Sequence, residues 1–288
     1  MKVWVTGANG LLGTALKQAL FDQGIPFAGS TKLQADVSNL SSMDQFYRKW
    51  GPFTHLVHCA AYTQVDLAES HYEEARQINA LSPAIIGSLA SEHRFRVLHI
   101  STDYVFDGQS GRPYLETDRI VPQTVYGRTK AEGEKHLLTA QPDACIIRTS
   151  WLFGMGGKSF VSTMLDLMRQ HEEIGVVSDQ IGRPTFAPDL AKIIILALDW
   201  TGTYHAANSD ETSWYDFAMM IRSEALALGW PIVCQKIRPI SSFEYGSVAP
   251  RPLYSVLDTG KIEKMLGSPL RSWREGLIEQ LKAFDARS

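Results

Sequence analysis

Much of what would place this chain at a membrane, in a disulfide scaffold or on a nucleic acid is missing. No stretch of 18 apolar residues occurs in the 288, and the opening MKVWVTGANG has neither a basic n-region nor an apolar h-region. A membrane span and a secretory signal are therefore not expected, and the chain reads as cytoplasmic and unanchored. Like charges never run to five in a row and the net charge is −3, so the electrostatic footprint of a nucleic-acid binder is absent as well. Three cysteines, Cys59, Cys145 and Cys234, lie far apart, the first two in apolar strand-like runs. They are expected to be buried reduced thiols rather than a disulfide or a metal site. His55 and His58 stand at an odd spacing on a strand, which sends them to opposite faces. With no H-E-x-x-H and no paired C-x-x-C, no metal is expected.

What is present is an ordinary globular composition, 44% hydrophobic and 20% charged, with no internal repeat, low-complexity tract or linker. The first half alternates β-rich runs at 2–6, 25–29, 54–60, 96–101 and 144–150 with helical patterns at 11–23, 41–50, 70–92 and 124–140. Alternation of that kind predicts βαβ units, and near-continuous apolar strands predict a sheet covered on both faces. The fold class is therefore α/β, a Rossmann-like doubly wound parallel sheet. Beyond Gly154, Gly156 and Gly157 the pattern changes, with helices predicted at 158–171, 187–199, 213–228 and 272–285. Residues 1–150 plus about 187–208 are expected to form the first domain, and about 151–186 and 209–288 a smaller lobe interleaved with it.

VTGANGLLG places Gly7, Asn9, Gly10, Leu11, Leu12 and Gly13 between the first strand and the first helix. Glycines there permit a tight turn and close approach of backbone to a pyrophosphate at a helix N-terminus. An NAD enzyme often carries an acidic residue after the second strand, but here the chain reads Ser30, Thr31, Lys32. NADPH is the expected cofactor, with NADH left open. Asp36 and Val37 are expected at the end of the third strand, beside the adenine or as a plain turn. At the end of the strand 96–101 come Ser101, Thr102, Asp103 and Tyr104, where open parallel sheets place ligands, though strand-end capping is the bland alternative. Tyr126 and Lys130 stand four apart on a predicted helix, so a phenol and an ammonium share one face. A cation so placed lowers a phenol's pKa and makes a tunable acid, and a surface contact is the alternative.

The ordered set VTGANGLLG, CAAYTQVDLAE, STDYVFDG, VYGRTKAEGE and IRTSWLFG resembles the extended short-chain dehydrogenase/reductases, and DQIGRPTFAPDLA, GTYHAANSDETSWYDFA and RPLYSVLDT continue the resemblance over nearly the full length. It implies a catalytic triad of Thr102, Tyr126 and Lys130, with Cys59, Ala60, Ala61 and Tyr62 flanking the cofactor. It also implies a substrate side met by Thr102, Asp103, Tyr104, Tyr126, Trp151, Asn208 and Arg251. The reaction implied is NADPH-dependent reduction of the C4 keto group of a dTDP-sugar, dTDP-4-dehydro-β-L-rhamnose. Two alternatives stay open: a reductase or epimerase of another nucleotide sugar, and a non-catalytic regulatory subunit of the same fold. Some relatives carry a glutamate on the first helix in a dimer-bridging magnesium site, where this chain has Ala15, so a monomer or weak homodimer is expected.

Overall fold

Every residue of the first, third and fifth strands is buried, which is possible only where helices cover both faces of a sheet. The computed structural model describes residues 1–285. In chain order it runs β1 (Val3–Thr6), α1 (Leu11–Asp22), β2 (Phe27–Ser30), α2 (Leu40–Trp50), β3 (His55–His58), α3 (Val65–Ala68), α4 (Tyr72–Arg76), α5 (Ser82–His93), β4 (Arg96–Thr102), α6 (Val125–Ala140) and β5 (Cys145–Thr149). There follow β6 (Leu152–Phe153), α7 (Phe160–Gln170), β7 (Glu173–Val177), β8 (Ile181–Gly182), β9 (Thr185–Phe186), α8 (Ala187–Leu196), β10 (Gly202–His205), β11 (Thr212–Ser213), α9 (Trp214–Ala227), β12 (Lys236–Ile240), α10 (Ser242–Tyr245), α11 (Gly260–Leu266) and α12 (Trp273–Asp285).

Six parallel strands form the main sheet in the order β10-β5-β4-β3-β1-β2. Order reverses at β1, whose neighbours are β2 and β3, and the crevice beyond the carboxyl ends of strands at such a switch point is where doubly wound sheets take ligands. Alternation within β1 supplies both faces: Val3 and Val5 join the core shared with α1 and α8, while Trp4 points the other way and stacks on Phe46 of α2 at 4.9 Å. The chain leaves this sheet after β5 and returns to it as β10, which pairs with β5 in parallel. A second core lies outside the sheet and gathers Phe153, Met164, Ile174, Phe217, Trp273 and their neighbours from α7, β7, α9 and α12. No helix among the described residues is long and apolar enough to cross a membrane.

Two expectations need correction. The single helix expected over 70–92 is α4 and α5 joined by a π turn at Gln77–Leu81. Pro83 has no N–H to return to the Asn79 carbonyl, so the α ladder cannot run through this point. Asp36 and Val37 do not end the third strand, because that strand is β3; they lie in the turn between β2 and α2, where Asp36 accepts from the Ser38 hydroxyl at 2.7 Å. The cysteines are unpaired, as expected, but Cys59 is only partly buried because it lies just past β3 at the open edge of the sheet. His55 and His58 do face apart, toward Asp199 and toward Ser82 of α5.

Candidate active site

A cleft of about 710 Å³ opens along the carboxyl edge of β1, β3, β4 and β5. At one end Gly7 has φ +62, the left-handed region that glycine enters freely, and a Cβ there would meet the Ala60 nitrogen at 2.7 Å. A Cβ on Gly13 would collide with the Gly7 carbonyl, so the first turn of α1 packs directly onto the loop. The loop and the helix N-terminus thus form a side-chain-free cradle, with no acidic residue in the helix's first turn to oppose an anion. That cradle fits the pyrophosphate of a dinucleotide. Gly10, Leu11, Leu12, Lys32, Asp36, Val37, Cys59, Ala60 and Ala61 line the same cleft. Asn9 lines a shallow neighbouring recess instead, and Tyr62 turns inward, its hydroxyl 3.1 Å from His71.

At the other end, the hydroxyl of Thr124 caps α6 by accepting from the Gly127 N–H at 2.9 Å, and the helix then carries Tyr126 and Lys130 along one face. A Cβ on Gly127 would collide with the Tyr104 carbonyl, so only glycine lets α6 lie this close to the turn after β4. Tyr104 and Tyr126 consequently meet edge to face, with ring centroids 5.5 Å apart. Thr102, Asp103, Tyr104, Tyr126, Lys130 and Trp151 all line the cleft.

Electrostatics here depart from the sequence expectation. Lys130 was expected to draw the Tyr126 phenol down, but burial raises that phenol above its ordinary value, Asp103 and Tyr104 raise it further, and Thr102 offsets part of the effect. The ammonium of Lys130 is tied elsewhere, to the Ile100 carbonyl at 2.7 Å and near His99 Nε2 at 3.3 Å. Burial lowers Lys130 to about 8, with Glu134 one turn along α6 acting in the opposite sense. Glu134 itself is held by a 2.7 Å ion pair with Arg148, both side chains buried. Asp103 is pushed up to about 6 by burial; Thr102 donates to its Oδ1 at 2.9 Å.

Trp151 occupies a left-handed backbone position, φ +45, just past β5. Its ring lies flat on Trp214 at the start of α9, centroids 3.4 Å apart and 6° from parallel. The pair is the cleft's apolar wall. Arg251 does not line this cleft; it borders an adjoining one of about 580 Å³ that shares Tyr104, donating to the Tyr104 hydroxyl at 2.9 Å and to Asp66 at 2.5 Å. Asn208 is not brought to the site. It is buried and its amide is consumed elsewhere, accepting from the Phe186 N–H at 2.7 Å and donating to Asp189 and the Arg271 carbonyl. Sequence reading missed Trp214, Lys158 and Asn79. The first two line the cleft, and no local spacing ties them to the strands they face. Asn79 braces the 59–63 loop by a 2.9 Å bond from the Tyr62 N–H and donates to Thr129 of α6, a role hidden within what reads as plain helix.

A family model described as the RmlD substrate binding domain matches residues 1–286. The spore coat polysaccharide biosynthesis protein SpsK of Bacillus subtilis is 39% identical over 282 residues, covering 98% of this chain and 97% of that one. A dTDP-4-dehydrorhamnose reductase of Aggregatibacter actinomycetemcomitans is 37% identical over 292 residues, covering 98% and 99%. Among solved structures, the dTDP-4-dehydrorhamnose reductase of Bacillus anthracis in complex with NADP superposes with a TM-score of 0.91 at 35% identity, over 98% of this chain and 99% of that one.

Proposed function

The chain belongs to the RmlD substrate-binding-domain family, and from that premise we propose that it is an NADPH-dependent dTDP-4-dehydrorhamnose reductase, reducing the C4 keto group of dTDP-4-dehydro-β-L-rhamnose to give dTDP-L-rhamnose. The observation that carries this reading is the meeting of Thr102, Tyr126 and Lys130 with the glycine cradle in one cleft of a chain that matches such reductases over nearly its whole length. Residues 1–150 with about 187–208 would hold the cofactor and the lobe of about 151–186 and 209 onward the sugar, apart from α11, whose Ile262 packs into the core of the main sheet. Gly7, Gly10 and Gly13 receive the cofactor's pyrophosphate, and Lys32, after a β2 that ends without a carboxylate, meets a 2′-phosphate.

Bound NADPH supplies the hydride for the C4 carbon. Tyr126 gives its phenolic proton to the carbonyl oxygen as general acid. Burial keeps that proton in place at neutral pH until the oxygen becomes basic. Thr102 fixes the oxygen and stabilises its developing charge, a preorganised electrostatic role. Lys130 contributes a fixed positive charge from the floor of the cleft and a donor to the cofactor ribose. Trp151, backed by Trp214, offers a flat apolar face to the deoxysugar ring and limits its approach to the nicotinamide.

The test couples dTDP-glucose, a dehydratase and an epimerase to this protein, with NADPH or NADH, and identifies the sugar by NMR. Stoichiometric NADPH oxidation with dTDP-L-rhamnose as product is expected, and a lower KM for NADPH than NADH. Turnover without net cofactor consumption would instead make it an epimerase. No turnover on any dTDP-sugar would overturn the reading.

A further inference from the structure

Lys130 is 2% exposed, and a buried ammonium is tolerated only where its protons meet acceptors. One is donated to the Ile100 carbonyl at 2.7 Å, and His99 Nε2 lies 3.3 Å from Nζ. An ammonium has no lone pair, so Nε2 must be the bare, accepting nitrogen and the ring proton must sit on Nδ1. Nδ1 finds no partner among the described residues, so nothing on its own side dictates this tautomer; the lysine does. On its other face the ring stacks against His58, centroids 5.1 Å apart. His58 is fixed in turn. Ser82 donates to the Ile78 carbonyl at 2.6 Å and so accepts from His58 Nε2 at 3.0 Å, which leaves His58 Nδ1 to accept from Thr6 at 2.8 Å.

The charged and titratable groups facing Lys130 are few. Glu134 comes from its own helix, Cys59 from the end of β3 and His99 from β4, with His58 behind His99 and Tyr126 one turn earlier on α6. The carboxylate of this set, Glu134, is already committed to Arg148 and to the Ser101 hydroxyl. Burial and the nearby ammonium hold His99 neutral, so it accepts throughout the physiological range. An ammonium carries three protons; with two directed to Ile100 and His99, the remaining one is free to point into the cleft that Lys130 lines.

Resting on the reductase reading above, we propose that His99 is a positioning residue for Lys130, a neutral imidazole acceptor that keeps the buried ammonium charged and turns its remaining proton toward the bound cofactor.

His99→Phe keeps a ring to pack on His58 but removes the acceptor, whereas His99→Gln restores an acceptor without the ring. The charged form of Lys130 loses support in the first variant, so the basic limb of its kcat–pH profile should move about one unit toward acid, roughly a tenfold loss of turnover above the limb. His99→Gln should return the limb close to wild type. An unmoved limb in His99→Phe, or equal movement in both variants, would overturn the proposal. If His99→Phe does not fold, imidazole ¹⁵N NMR of the wild type decides: a neutral ring protonated on Nδ1 from about pH 6 to about pH 9 is expected, and a charged ring or an Nε2–H tautomer sinks the idea. Failure of the reductase reading itself shows separately, as a wild type without turnover. In that case the NMR titration of Lys130 Cε still tests His99, with an unshifted midpoint in His99→Phe counting against it.

Discussion

A phenol is useful as an acid only while it keeps its proton until the substrate needs it, and burial arranges that for Tyr126. The groups around it divide the work. Thr102 favours the phenolate, Asp103 and Tyr104 oppose it, and the Lys130 ammonium is anchored to the strand below. Tyr126→Phe removes the proton donor and little else, since the ring's edge-to-face contact with Tyr104 survives. The expected outcome is a fall in kcat of about 10² to 10⁴ with NADPH affinity and melting temperature kept, checked by steady-state kinetics and fluorescence titration. Turnover within a few-fold of wild type would remove Tyr126 from the role of acid.

Elements set what those residues meet. The short ladder between β8 and β11 pairs Gly182 with Thr212 and Ile181 with Ser213, and so brings β8 alongside the start of α9 where Trp214 sits. Gly182 is also the floor under Trp151: a Cβ there would come within 2.5 Å of the indole. Gly182→Ala therefore acts on the Trp151–Trp214 wall from outside the cleft, because the indole is also held by its left-handed backbone and has to leave the plane of Trp214. Overpacking of this kind costs about 1 to 3 kcal/mol, and misplacing a reacting carbon lowers rates by up to about 10²-fold. Lower turnover on the dTDP-sugar with unchanged NADPH binding is expected. Normal kinetics in a folded Gly182→Ala protein would show that the Trp151–Trp214 stack does not orient the sugar.

On the scale of the whole molecule, three buried histidines make the fold sensitive to acid. Burial depresses His58 and His205 to about 3 and His99 well below its ordinary value. In the unfolded chain each takes up a proton near its usual pKa of about 6.5 while the folded chain does not, so stability is lost as pH falls. Three such groups give a slope of about 4 kcal/mol per pH unit once the unfolded forms are charged. Asp103 works the other way: its pKa is raised to about 6, so its cost is absent at low pH and grows as pH rises from about 4. The net expectation near pH 5 is a loss of about 3 kcal/mol per unit, measured as urea-unfolding free energies at several pH values. A stability that stays level from about pH 7 to about pH 5 would contradict it.

Patterns local to the chain and contacts made only on folding account for different parts of this protein. The apolar strand runs, the glycine turn after β1 and the Tyr126–Lys130 spacing are local patterns. They were enough to place five strands, most helices and the ends of the cleft, because periodicity and turn chemistry act between residues a few positions apart. The π turn before Pro83 was written in the same local code and was missed as part of a longer helix. Other facts depended on contacts between distant segments. Asn208 sits in a motif that resembles a substrate-binding stretch, yet its amide is spent bracing Phe186 and Asp189. Trp214 and Trp151 meet although no spacing links them. The phenol's pKa is decided by how deeply α6 presses against the turn after β4, and the lysine's partner by which carbonyl and which ring β4 presents beneath it. Desolvation and hydrogen-bond partnership depend on three-dimensional neighbours, so they are fixed only when the sheet, the helices and the second lobe come together.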